Sequence, residues 1–503
     1  MTEAWQEAPI RALETARRTI VLLILCGANA LDNIDISVTN VALPTMQDDL
    51  GIPAAQLSWI VNGYTITFAG LLLLSGRLGD VFGHRRTLIV GLLLFGIASA
   101  AAASAGSFAI LVAMRAVQGV AAALIAPTTL AVLASVFPRG RPINGAIGLW
   151  GTLTSIAGSA GMVVGGLLAD GPGWRWIFWV NVPVVVVLLI SVVKYLPPRP
   201  SASRGQRLDI LGGLSATVGF AMFTYALVTT TAQGWGTVMP YLTLALSTAM
   251  LTAFWLHERF IATEPLLRPS ILRATRTRRS NAIQLFCGGA MFTMFFMLTL
   301  YEQRVLDWSS ATIGLAYVPQ GAALLVAARL TARLIVLIGE TCSIIVGSVL
   351  GVAGMLLLIG VPPSGSYLGN ILIPSLLMGM AIPLVLVPST AGAISEAPVE
   401  DHGVASGVAT VSRVLGGSII LAIASGAAAS RSRIELEQGA TKLVAATEGY
   451  RVGFAIGAMS FSLVTVMMMT HGIRHIVGTH RKSRRPTQMD GSVTNHEPES
   501  LSS

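Results

Sequence analysis

Apolar residues run along this chain in long, nearly unbroken blocks, not in the narrow stripes of helices that cover a soluble core. A helix needs about 20 such residues to cross ~30 Å of hydrocarbon. Fourteen segments meet that length, at roughly 19–43, 56–75, 87–105, 108–134, 143–168, 177–196, 210–230, 237–256, 281–301, 312–335, 342–361, 369–392, 404–428 and 452–471. The breaks carry turn formers: Pro44, Gly83, Pro138, Gly171-Pro172-Gly173, Pro197-Pro198, Pro362-Pro363 and Pro398. The pattern predicts an all-α polytopic membrane protein. The polar residues 1–18 precede an apolar run without a small-residue cleavage site, which reads as a retained first span and not a signal peptide.

Composition agrees. Of the 503 residues 53% are apolar and only 11% charged, against roughly 25% charged in soluble domains. The mean hydropathy is +0.71. The net charge of +9 invites a nucleic-acid reading, but its distribution removes it. With the N-terminus in the cytoplasm, the cytoplasmic segments hold 25 Lys/Arg and the outer loops six, while Arg115 and Arg413 fall inside spans. That asymmetry is the positive-inside pattern. It implies an even number of spans, both termini cytoplasmic, and a multi-pass protein of the inner (plasma) membrane. The lone cysteines Cys26, Cys287 and Cys342 give neither a disulfide framework nor a metal motif, and the histidines lack ligand spacing. Metal sites and nucleic acid are not expected.

The link Gly76-Arg77-Leu78-Gly79-Asp80-Val81-Phe82-Gly83-His84-Arg85-Arg86 has a weak echo between spans 10 and 11, in Ala328-Arg329-Leu330, Arg333 and Gly339-Glu340. Paired repeats around a midplane site are typical of secondary transporters. The chain therefore divides into an N-terminal segment (1–18), a six-helix bundle (19–196), two additional helices with their links (197–280), a second six-helix bundle (281–472) and a disordered basic tail (473–503). A topogenic loop needs only positive charge, so the Gly/Asp spacing is surplus to that role. Gly76, Asp80, Gly83, Arg85 and Arg86 are read as a conformational latch.

This loop resembles the signature between the second and third helices of the major facilitator superfamily. Asp35-Ile36-Ser37-Val38-Thr39-Asn40-Val41-Ala42-Leu43-Pro44 is similar to the first-helix motif of its fourteen-helix drug:proton antiporters. Arg115-Ala116-Val117-Gln118-Gly119 resembles the fourth-helix motif, and Gly161-Met162-Val163-Val164-Gly165-Gly166 the fifth-helix antiporter motif, with Met162 where the family has proline. Trp174-Arg175-Trp176-Ile177-Phe178 with Asn181 and Pro183 resembles the link to helix six. Gly403, Ser406-Gly407, Arg413 and Gly416-Gly417 resemble helix thirteen. The resemblance, to actinobacterial-type multidrug efflux transporters, spans about residues 30 to 420. It implies the major facilitator fold, two six-helix bundles plus two inserted helices.

The residues themselves supply candidates for that work. Ionisable groups within a span are costly and functional by default. Asp32 and Asp35 neighbour each other on one helix face, and Arg115 falls at about the depth of Asp35. A carboxylate whose proton affinity changes with hydration and with the distance to an Arg can load and release a proton. A static ion pair is the alternative, and Asp32, nearer the midplane, is the alternative carrier. Gly158, Gly161, Gly165 and Gly166 offer a close helix seam, either sliding or static. Asn40, Gln118, Met294 and Arg413 are candidates for a substrate cavity; Arg413 has an equal claim to a structural bond with backbone carbonyls. The Met/Phe run 291–297 suits an adaptable cavity or lipid packing, and Glu302 reads as interfacial. The three lysines, Lys194, Lys442 and Lys482, lack the phosphate-loop motif, so the energy is expected from an ion gradient; the resemblance implies that the ion is the proton, and no cofactor is expected. The function expected is proton-coupled efflux of small amphipathic compounds by a monomer in contact with protons, substrate and membrane lipids. A dedicated exporter of an endogenous lipid, siderophore or antibiotic is the alternative, a transport-dead scaffold or sensor the second. An enzyme is not expected, because no nucleophile–base constellation stands out.

Overall fold

The computed structural model describes residues 2–53, 56–137, 141–196, 210–233, 238–261, 274–396 and 402–483. Helix is the only regular secondary structure among them. The N-terminal half comprises α1 (Thr2–Leu50), α2 (Ser58–Phe82), α3 (His84–Ala103), α4 (Phe108–Val136), α5 (Arg141–Asp170), the short α6 (Trp176–Trp179) and α7 (Asn181–Tyr195). Two further helices follow, α8 (Ile210–Gln233) and α9 (Val238–Phe260). The C-terminal half comprises α10 (Thr275–Arg304), the short α11 (Ser310–Ala316), α12 (Val318–Ile359), α13 (Leu372–Ile394), which a π turn over Tyr367–Ile371 precedes, α14 (His402–Glu437) and α15 (Lys442–Ser483).

Among the described residues ten helical stretches are long and apolar enough to cross a membrane, so fourteen are not reached on length and composition alone. One reason is visible in α12. Its 42 residues contain Gly339 at φ 80°, ψ 162°, where the helix breaks. Only glycine takes that backbone readily. Shorter apolar stretches among the described residues, Trp59–Leu72, Ala160–Asp170 and Gly212–Phe223, belong to the longer helices α2, α5 and α8. Pro44 does not end the first span as expected, because α1 continues to Leu50. The segment expected as a tail from residue 473 begins inside α15, which runs to Ser483; residues beyond that lie outside the description.

Gly83 breaks the chain between α2 and α3 at φ 92°. Counting from these two glycines corrects the register of the internal repeat. Arg77-Leu78 stands six residues before Gly83, and Arg333-Leu334, not Arg329-Leu330, stands six before Gly339. In that register Val336 takes the place of Asp80, so the second link lacks the acid.

Each half has its own core. In the N-terminal half α2 and α3 pack on α4, and α1 on α5; in the C-terminal half α12 packs on α13 and α10 on α14. Gly288 and Gly416 let α10 and α14 approach so closely that a methyl group at either would strike backbone of the other helix. The halves meet along α5 against α11 and α12, and along α14 against α2. At the C-terminal end of α5, Asp170 accepts hydrogen bonds from the backbone N–H groups of Ser310 (3.2 Å) and Ala311 (2.7 Å). Gln303 donates to the Val41 carbonyl at 3.0 Å, and Arg304 to the Gln47 side chain. The additional pair packs outside α2, where Thr217 donates to the Gly70 carbonyl at 2.8 Å. Val238, Leu242 and Leu246 on α9 remain exposed, which fits a lipid-facing surface.

Candidate functional site

Asp35 sits in a buried polar knot drawn from five helices. Its Oδ2 pairs with Arg115 on α4, both side chains being 1% exposed. Its Oδ1 accepts from Asn181 on α7 at 2.7 Å and from Gln118 at 3.1 Å. Gln118 also donates to Ser99 on α3 at 2.9 Å and accepts from Arg115 at 2.9 Å. Arg115 Nε reaches the Ile60 carbonyl of α2 at 3.2 Å. The guanidinium lies 4.6 Å from the Tyr64 ring centroid and 5.9 Å from that of Phe178, where aromatic faces favour a cation. A buried ion pair is worth keeping only when its remaining donors and acceptors are met, and here both oxygens of Asp35 are engaged. Asp35 and Arg115, paired in the sequence reading, are thus brought together as a held pair.

Asp32, one turn deeper on α1, has a different setting. It is 5% exposed, and its Oδ1 is buried without a hydrogen-bond partner. The charges that act on it are those of Asp35 and Arg115 in its own half and, after them, Arg413 on α14 of the other half. Arg413 itself is half-buried, and its own backbone forms the close contact with Gly288. The arrangement leaves an incompletely satisfied carboxylate in the N-terminal half, within the electrostatic reach of guanidinium groups from both halves.

Two expected cavity residues are elsewhere. Gln118 is fully buried and spent in the Asp35 knot. Met294 is buried in the C-terminal core beside Cys287, Met297 and Phe454, because its face of α10 turns toward the bundle interior. Asn40 is half-buried on α1. Gly161 and Gly165 do form a seam: a methyl group at Gly161 would stand 2.9 Å from the Ile34 carbonyl, and at Gly165 2.7 Å from Val38 Cα. Gly166 faces the other half, at Ser310 and Ala311. Gly158 has ordinary room, 3.6 Å from Ser37 Oγ. In the latch loop Gly83 supplies the turn, Arg85 donates to the Val193 carbonyl at the end of α7 at 2.9 Å, and Arg86 is exposed. Beyond their backbone in α2, Gly76 and Asp80 lie outside the described residues. Sequence reasoning missed Ser99, Tyr64 and the Ile60 carbonyl; Asn181 was marked only by its place in the link to helix six.

Two helical halves that touch along α5, with a close glycine seam and a buried ion pair inside the first half, suit a membrane transporter. Residues 25–421 match the Major Facilitator Superfamily, and the chain belongs to that family. It is 34% identical over 415 residues to the cephamycin export protein CmcT of Amycolatopsis lactamdurans, covering 82% of this chain and 85% of that one. It is 32% identical over 486 residues to the puromycin resistance protein pur8 of Streptomyces alboniger, covering 96% and 95%. The nucleoside transporter NupG superposes with a TM-score of 0.61 at 11% identity, over 90% of this chain and 99% of that one, a likeness of fold. The chain is a multi-pass membrane transporter of this superfamily.

Proposed function

We propose that this protein exports small amphipathic compounds across the plasma membrane, driven by protons and without a cofactor, by alternating access between its two halves. The export and resistance roles in the names of the two relatives support the direction. Fourteen spans with both termini cytoplasmic fit the breaks at Gly83 and Gly339 together with the 25-to-6 charge split. The observation that carries the proton coupling is the contrast between the two acids of α1. Protonating Asp35 would cost one of its hydrogen bonds. Asp32 has an oxygen free to take a proton without that loss, and Arg413 of the other half acts on it electrostatically alongside Arg115. Separation of the halves changes the distance between these opposite charges, and with it the preference of Asp32 for a proton. Asp32 is therefore the proton carrier, and the Asp35–Arg115 pair is the fixed frame that orients α1.

The test is accumulation of a panel of neutral and cationic dyes in cells expressing the protein. Lower accumulation than in control cells, abolished by a protonophore, is expected. Accumulation equal to the control for every dye would contradict export, and protonophore-insensitive export would contradict the coupling. A single exported compound would favour the dedicated exporter.

A further inference from the structure

Arg329 and Arg333, near the C-terminal end of the first segment of α12, take no part in the features above. With Val326 and Leu330 they line a cavity of about 540 Å³, a size within the range of about 300–1,000 Å³ usual for small-molecule sites. The four residues fall at i, i+3, i+4 and i+7, which is one face of a helix. Both arginines are exposed, and among the described residues neither guanidinium has a hydrogen-bond or ion-pair partner. The sequence has no acid between Asp307 and Glu340, and Glu340 is taken by Arg276 at 2.5 Å.

These cations sit inside the apolar surface, not at its edge. Arg333 stands six residues before the break at Gly339 and Arg329 ten, roughly 9 and 15 Å along the axis. Val336, Leu337 and Ile338 beyond them are exposed, as are Val326 and Val318 before them. A charge that only sets topology belongs in the loop past the span, whereas an unpaired cation among lipid-facing residues is costly. In the register counted from Gly83 the first half has Arg77 but Leu73 in the place of Arg329, so the second cation belongs to this half alone. The same face can be followed along the helix. Ser310 and Gly314 lie against α5, and helical hydrogen bonds run on through Tyr317. Steps of three or four residues lead from Gly314 through Val318, Ala322 and Val326 to Arg329 and Arg333. From Val318 onward these positions are exposed, so α5 does not cover them.

We infer that this uncovered face binds an anionic phospholipid, with its phosphate held by Arg329 and Arg333 and an acyl chain lying along Val326, Ala322 and Val318. Guanidinium groups one helical turn apart can share a phosphate, each offering a fork of donors. Basic pockets beside spans take anionic headgroups in this way. Arg329 and Val318 are separated by roughly 16 Å along the axis, close to half the thickness of the hydrocarbon core. One leaflet's acyl chain therefore matches the stripe. A free phosphate would satisfy the arginines and leave the apolar positions uncovered, which is why a lipid is the better occupant. Such a site requires neither export nor proton coupling.

The experiment is native mass spectrometry of the full chain in detergent, titrated with phosphatidylglycerol or with zwitterionic phosphatidylcholine, reading the affinity of the first lipid bound. The wild type should prefer phosphatidylglycerol. Replacing both arginines, Arg329→Gln with Arg333→Gln, should weaken phosphatidylglycerol about tenfold or more and leave phosphatidylcholine unchanged. Replacing both by lysine should retain part of the preference, because the charge stays. Arg278→Gln, which removes an exposed arginine at the start of α10, should change nothing. Wild-type affinity in the double glutamine variant would overturn the site. So would equal affinity of the wild type for the two lipids, or a loss as large in Arg278→Gln or in the double lysine variant. Displacement of phosphatidylglycerol by inorganic phosphate would show a small-anion site in its place.

Discussion

Substituting Gly166 by alanine tests how the outer ends of the halves close. The added methyl group would collide with the Ser310 carbonyl oxygen and stand 2.9 Å from Ala311 Cα. Both obstacles are backbone, so no side chain can rotate away. Overpacking of this kind costs about 1–3 kcal/mol. The cost falls only on the state in which α5 and α11 touch, so the closed-outside population should fall about 5- to 150-fold relative to the open one. Gly161→Ala strikes the Ile34 carbonyl within the N-terminal half instead. It should lower the melting temperature without moving that balance. Gly158→Ala, with a nearest atom at 3.6 Å, should do neither. Spin labels at the exposed positions Asp48 and Asp307, read by pulsed distance measurement, follow the separation of the outer ends. A distance distribution for Gly166→Ala that matches the wild type would refute the reasoning.

Arg115→Leu leaves Asp35 buried without its cation and should destabilise the protein by about 3–5 kcal/mol; Arg115→Lys should rescue little, because a lysine cannot reach Asp35, Gln118 and the Ile60 carbonyl at once. Thermal unfolding in detergent checks both, and wild-type stability in Arg115→Leu would contradict a held pair. Gly83→Ala forces a side chain into a backbone at φ 92° and should slow turnover with substrate affinity retained, measured as transport rate against equilibrium binding; normal turnover would show that the break has no mechanical role. Cysteines placed at Thr2 and Ser503 should resist an impermeant thiol reagent added to intact cells, and labelling of either would break the orientation.

Much of this architecture was legible because bilayers impose a coarse rule. Long apolar blocks and arginine asymmetry suffice to read a polytopic helical chain. Helix ends were harder: nothing in the local pattern shows that α1 passes Pro44, or that residues after 473 continue α15. The charged pair was legible from two ionisable residues at similar depth. Its partners were not, since Ser99 and Tyr64 are ordinary span residues until the fold brings α2, α3 and α4 together. The burial of Gln118 and Met294 was not legible for the same reason: residue type suggests cavity or core alike, and only the helix's rotation decides. Asp32 and Asp35 are neighbours in sequence, yet differ in hydrogen bonding because Asp35 meets donors on α4 and α7 and one oxygen of Asp32 meets none. Glu302 looked interfacial by position, but its side chain is buried.

The central claim is that Asp32, and not the Asp35–Arg115 pair, carries the driving proton. Proteoliposomes with an imposed pH gradient, loaded with the best exported neutral dye of the panel, test it most directly. Asp32→Asn should bind that dye with unchanged affinity and fail to concentrate it. Gradient-driven accumulation by Asp32→Asn at the wild-type level would contradict the account.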